Sequence, residues 1–231
     1  MNVPAVATPS LADFASAGLQ TAAGQGSTAV KLFLVLTALS FGTAIVLSVT
    51  SFTRIIIVFS FLRQAMGTPQ LPPNQVLIGL SLFLTLFIMA PTVRKIHEQA
   101  LTPLMDDKIS VGEALGRAQA PLSEWMLKQT RDDDLRLFFE VSGTPRPVRG
   151  EVVPFTVLVP SFMISELGTA FRMGLYLFIP MLLIDLLVSI IMMSLGMMMV
   201  PPTLVAMPLK LGVFLLAGGW HLVVSSIIRS F

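Results

Sequence analysis

Charge is confined to one part of this chain. Of its 28 charged side chains, 15 Lys/Arg and 13 Asp/Glu, 19 lie between Pro91 and Glu151, which leaves the rest nearly free of charge. A chain divided in this way has two environments to satisfy: water around one short segment, and lipid or other protein around the apolar runs. Those runs cover roughly residues 32–50, 76–90, 173–200 and 203–228, with the shorter Ile55–Leu62 and Val152–Ile164 beside them. A bilayer core takes about 20 helical residues at about 1.5 Å each, so 32–50 and the last two runs are long enough to span it. The run 76–90 looks too short before Pro91. Hydrophobic residues make up 54% of the chain and the mean hydropathy is +0.82, as expected of a membrane-system protein.

The layout expected from this pattern is all-α. A flexible arm covers 1–28, a first hydrophobic helical hairpin 29–90, a small hydrophilic helical domain 91–151, and a second hydrophobic hairpin 152–231. The arm holds one charge, Asp13, and lacks the basic start and apolar centre of an intact signal peptide. In the hydrophilic segment, Ser110-Val111-Gly112-Glu113 fits a capping box. Pro121 suits a first helical turn, with Leu122, Trp125, Met126 and Gln129 following at helical spacing. Thr130 with Asp132, Asp133 and Asp134 marks a second helix start, which Gly143 ends. The three aspartates read as a solvated cap rather than a metal site, since no histidine lies near them.

Polar residues inside the apolar runs imply protein neighbours. Thr37, Ser40, Ala44, Ser48 and Ser51 form one stripe of small side chains, and Asn74, Ser81 and Thr85 repeat the arrangement, as close helix packing in lipid requires. Asp185 and Lys210 stand alone in long apolar sequence, where exposure to hydrocarbon would cost a few kcal/mol or more. On one continuous helix Lys210, Phe214, Ala217, His221, Ser225 and Arg229 share a side. Asp185 and Lys210 therefore pair across a hairpin, contact neighbouring subunits, or relay protons. Arg54 and Arg63 flank "IIIVFSFL" and either extend toward water or touch another subunit. Glu166 either caps a helix or bonds Arg172 of another copy.

Chemistry of other kinds finds little support. The absence of cysteine excludes disulfides and thiolate sites. The net charge of +2 with no basic run gives nucleic acid nothing to bind, despite a pI near 9.3. His97-Glu98 lacks the second histidine of a zinc-protease helix, and no nucleotide-binding loop or nucleophile elbow is present. The expectation is a non-enzyme without cofactor or metal. A proton-coupled transporter using Asp185, Lys210 and His221 is the contrasting class, although the two halves show no internal repeat.

One short stretch, "SLGMMMVPP", sets Met197, Met198 and Met199 between Gly196 and the stiff Pro201-Pro202, in a Met-rich loop over 196–202. Methionine runs also fill apolar cores, so spacing alone leaves the role open. The blocks "SFTRIIIVFSFLRQAMGTPQLPPNQVLIGLSLFLTLFIMAPT" and "FIPMLLIDLLVSIIMMSLGMMMVPPTLVAMPLKLGVFLLAGGWHLVVSSIIRSF", Ser51–Thr92 and Phe178–Phe231, closely resemble the FliP family of type III export gates. The likeness covers nearly everything from about residue 30, is looser over 91–151, and looks flagellar rather than of the virulence-secretion kind.

The resemblance implies a homo-oligomer, a pentamer by family likeness, assembled with FliQ and FliR into a closed helical gate. It implies further partners such as FlhB and FlhA, unfolded flagellar substrates, and a place in the bacterial inner membrane within the flagellar basal body. It also implies that Met197, Met198 and Met199 line the pore as a gasket, with Gly196 as pivot and Pro201-Pro202 ending the helix as anchors. Many relatives carry a cleavable signal peptide, whereas this arm shows none.

Overall fold

The computed structural model of the chain describes residues 47–143, 153–197 and 199–231. The expected arm over 1–28, nearly all of the run 32–50 with Thr37, Ser40 and Ala44, and Met198 lie outside the described residues. All regular structure among the described residues is helical.

Helix α1, Phe52–Ala65, is the apolar rod around which the rest gathers. It stops because Gly67 adopts a left-handed conformation (φ 77°). There the Gly67 amide donates to Gln64 O (3.0 Å) and the Thr68 amide to Arg63 O (3.3 Å), a paired closure that satisfies terminal carbonyls. Helix α2, Asn74–Ile96, buries only Leu77, Ser81, Thr85, Met89 and Thr92. Those positions form a single narrow seam in which two hydroxyls bond back to their own helix, Ser81 to Leu77 O and Thr85 to Ser81 O, both at 2.7 Å. Asn74 lies on the same helical row, seven residues before Ser81, but is exposed at the helix start.

The chain does not break at Pro91. Helix α2 carries this proline inside it and passes through a π-turn, His97–Leu101, into α3, Thr102–Met105, so Asn74–Met105 forms 32 helical residues. The expectation that 76–90 is too short to span is thereby overturned. A proline costs its own N–H and crowds the preceding turn, yet the residues on both sides remain helical here, and a window within this stretch averages 2.3 in hydropathy.

Helix α4, Val111–Gln129, begins at Ser110, whose Oγ accepts the Glu113 amide at 3.3 Å. The Glu113 carboxylate binds Arg117 at 2.7 Å. Pro121 lies buried in the middle of α4, not in a first turn as its sequence context predicts. Helix α5, Asp132–Ser142, has its three aspartates in the first turn, where they meet the positive helix end, and closes at Gly143 (φ 64°). Thr130 does not cap it; its hydroxyl donates to Met126 O at 2.7 Å.

Helix α6, Phe155–Ser194, unites two runs read separately in the sequence and contains both Pro160 and Pro180. Its 40 residues reach about 60 Å, twice a bilayer's hydrocarbon thickness. The lower part packs with Trp125, Met126 and Phe139 of α4 and α5 through Leu158 and Phe162. Farther along, Ala170 and Met181 join Ile55, Phe59 and Leu62 of α1. The close approach of α1 and α6 depends on Gly174, where a Cβ would stand 2.5 Å from Phe61.

The final run is broken in two. Helix α7, Thr203–Leu216, and helix α8, Gly219–Arg229, meet at a 65° bend. Gly218 takes φ 64°, and a Cβ on Gly219 would enter the Phe214 ring. Helices α2–α3 and α6 are thus each long and apolar enough to cross a membrane, and the bent pair α7–α8 qualifies if taken as one span.

Candidate functional site

The α6–α7 connection is built as an anchored tip. Gly196, at φ 72°, ends α6: its amide donates to Met193 O and the Met197 amide to Met192 O, both at 3.0 Å. This is the same paired closure that ends α1. Pro201 and Pro202 do not end the preceding helix, as expected from sequence. They lead into α7 instead, with Pro202 at its N-cap, where the fixed φ of proline (−57° here) suits a helical start. Pro201 O accepts the Leu204 amide (3.1 Å), and Pro202 O accepts those of Val205 (3.1 Å) and Ala206 (3.0 Å). Beneath the tip, Val188, Met192 and Ala206 form a small buried cluster against Ile184 and Val200. Above it Met197 is 44% exposed and Met199 96%.

Nine residues below the end of α6, about 14 Å along its axis, an ion pair ties the same hairpin together. Lys210 Nζ donates to Asp185 Oδ2 at 2.5 Å and to Ala65 O at 3.1 Å. One ammonium therefore joins α6, α7 and the carbonyl end of α1, where a helix dipole favours a cation. Lys210 is 7% exposed and Asp185 34%. Asp185 owes its exposure to a cavity of about 320 Å³ lined also by Gln64, Gly67, Thr203, Leu204 and Met207. His221 is not part of this group. The bend at Gly218 sets it on a different helix, exposed, so the continuous face from Lys210 through His221 to Arg229 does not form.

A second node sits at the other end of α1. Arg54, expected to reach toward water or another subunit, is buried and pairs with Glu166 of its own chain, its Nε donating to Oε2 at 2.9 Å and its second terminal nitrogen bonding Oε1. The guanidinium also donates to Ser230 O (2.8 Å), Ser230 Oγ (3.0 Å) and Gln129 Oε1 (3.2 Å). It lies 3.8 Å from the Phe231 ring centroid. Glu166 is accordingly neither a helix cap nor a partner of Arg172 from another copy: it lies inside α6, fully buried and already paired, while Arg172 is exposed. Arg63 folds back over the α1–α2 turn, donating to Asn74 Oδ1 (2.5 Å) and Pro72 O (3.4 Å).

Sequence reasoning missed the residues that complete this second node. Gln129 Nε2 donates to Phe231 O at 3.0 Å, and the Phe231 ring stacks on Trp125 at 6.3 Å between centroids. A carbonyl acceptor and a ring face carry no spacing signature. The only cue available was an unpaired arginine in apolar sequence. Among the aspartates of α5, Asp134 accepts the Ser165 hydroxyl at 2.6 Å, and that hydroxyl in turn accepts the Arg131 amide at 2.9 Å, which fixes α5 on α6. No three His, Asp or Glu side chains among the described residues gather as a metal would need.

Comparison with known proteins adds a family context. Residues 35–227 match the model of the FliP family. The flagellar biosynthetic protein FliP of Bacillus subtilis (strain 168) is 50% identical over 205 residues, which is 89% of this chain and 93% of that protein. The FliP of Pectobacterium carotovorum subsp. carotovorum is 49% identical over 202 residues, 87% of this chain and 78% of its own length. That of Aquifex aeolicus (strain VF5) is 46% identical over 204 residues, with 87% and 85% covered.

Proposed function

This chain belongs to the FliP family of flagellar export-apparatus proteins, and on that premise we propose that it is the pore-forming subunit of the export gate, sealed by its α6–α7 tip. Copies of the chain, five by family likeness, assemble with FliQ and FliR in the bacterial inner membrane, within the flagellar basal body and beside FlhB and FlhA. Unfolded flagellar subunits pass through the centre. The hydrophilic helices α4 and α5 form the outer wall of that assembly.

The observation that carries this reading is the contrast within the tip. Met199 is 96% exposed, while the residues directly beneath it are buried and its two ends are closed by backbone hydrogen bonds. Unbranched thioether side chains on a fixed base can close against one another and still rearrange around varied polypeptides. The Lys210–Asp185 pair fixes the register of the hairpin that presents them. Replacing Met197, Met198 and Met199 together with alanine should raise ion conductance through assembled gates in lipid vesicles without lowering the yield of assembly. Unchanged conductance would remove the sealing role, and a purified particle lacking FliQ and FliR would remove the assembly.

A further inference from the structure

The chain has 14 methionines and no cysteine, so its sulfur redox chemistry belongs to thioethers. Their surroundings differ sharply. Met66, Met89, Met126, Met181 and Met192 are buried; Met199 is the most exposed of the described methionines, ahead of Met105 at 74%. We propose that Met199, with its neighbour Met197, is a methionine-oxidation site through which peroxide-class oxidants loosen the closed gate. This rests on the tip being the seal.

The step is an oxygen-atom transfer. A sulfur lone pair attacks one peroxide oxygen, the O–O bond breaks as the S–O bond forms, and the departing hydroxide takes the proton to leave as water. Sulfur is oxidised by two electrons and the peroxide is reduced by two. The product is a polar sulfoxide in place of an apolar, pliable group. In a seal that works by excluding water, each sulfoxide supplies a strong acceptor that draws water in.

Geometry makes this a change in the seal rather than damage to the fold. Among the described residues of a single chain the thioether of Met199 joins no buried cluster, so its oxidation alters the contact between copies and not the packing of the fold, whereas Met192, which supports the base of the tip, is buried with Val188 and Ala206. The backbone closure at Gly196 uses no side chain. The modification is also reversible by methionine sulfoxide reductases.

The test uses the assembled gate in lipid vesicles, treated with hydrogen peroxide and followed by peptide mass mapping and ion conductance. Met199 and Met197 should gain oxygen on the order of tenfold faster than buried Met126. Conductance should rise toward that of the triple alanine variant and fall again after reduction by methionine sulfoxide reductases A and B. A Met105→Leu variant should respond to peroxide as the wild type does, whereas replacing Met197, Met198 and Met199 with leucine should abolish the response relative to its own untreated baseline. Confirmed oxidation of the tip with unchanged conductance would overturn the proposal, as would oxidation of Met105 while the tip is spared. The sealing role itself is judged separately by the alanine variant, so the two failures are distinct.

Discussion

The Arg54–Glu166 pair gives a prediction whose sign depends on which partner is removed. Glu166 is fully buried, and the hydrogen bonds its carboxylate accepts come from Arg54. Arg54, by contrast, also donates to Ser230 and Gln129 and stands against Phe231. Arg54→Met thus strands a carboxylate in a dry site and frees three further acceptor atoms, Ser230 O, Ser230 Oγ and Gln129 Oε1, a loss of about 3–5 kcal/mol. Glu166→Gln keeps one of the two acceptor oxygens and sets an amide NH2 against the other guanidinium N–H, while Ser230 and Gln129 still accept from Arg54, so the loss is smaller, about 1–3 kcal/mol. For a chain of this size each kcal/mol shifts the melting temperature by about 2–4 °C, so Arg54→Met should melt on the order of 10 °C lower and Glu166→Gln only a few degrees lower. The double variant Arg54→Met/Glu166→Leu should recover part of the loss, because replacing a buried pair with apolar groups is often close to neutral. The measurement is thermal unfolding of the purified chain in one detergent, read by tryptophan fluorescence, since Trp125 stacks on Phe231 beside the pair. Equal losses for the two single variants, or a double variant no better than Arg54→Met, would refute the asymmetry.

At the other ion pair the order should reverse. Asp185→Leu leaves Lys210 buried with Ala65 O as its remaining acceptor, whereas Lys210→Met leaves Asp185 open to a cavity, so the first should lower gate assembly more in a pull-down with FliQ and FliR. Gly174→Ala should cost about 1–3 kcal/mol by overpacking against Phe61, and the loss should be less than additive when combined with Phe61→Ala, as a thermal double-mutant cycle would show. On the water-facing helices, Lys128 first and Lys95 second hold the Glu124 carboxyl below its usual range. Whatever stability Glu124 adds over Glu124→Gln is therefore present at neutral pH and disappears as pH falls through that lowered value. A gap between the two melting temperatures that widens on acidification would contradict this sign.

What the sequence could reveal followed from how local each signal is. The capping serine at 110 and the stop at Gly143 were legible because a cap involves residues within one turn of each other. Asp185 and Lys210 stood out because an ionisable side chain in apolar sequence needs some partner, but periodicity could not say which. The partner emerged only when α6 and α7 folded back on each other about the Gly196 turn. Prolines misled in both directions. Pro91 and Pro121 sit inside helices that continue through them, while the break in the last run falls at Gly218, a residue with no side chain to announce it.

The same reasoning explains why this fold keeps so few charges in its apolar part and spends them at the two ends of α1. A helix of 14 residues spans about 21 Å, and the two ion pairs hold its two ends against α6, one through Glu166 and one through the Lys210 bridge to Ala65 O. Apolar packing between them is adaptable: Phe59, Leu62 and Ala170 would tolerate sliding by a turn with modest loss, since hydrophobic burial is not directional. The polar links would not, because a one-turn slip strands the buried Glu166 carboxylate at one end and takes the Ala65 carbonyl away from Lys210 at the other. Register of α6 against α1 is therefore set by electrostatics and its strength by packing. Met197 and Met199 inherit that register, so their height above Ala65 is fixed even though their side chains are exposed.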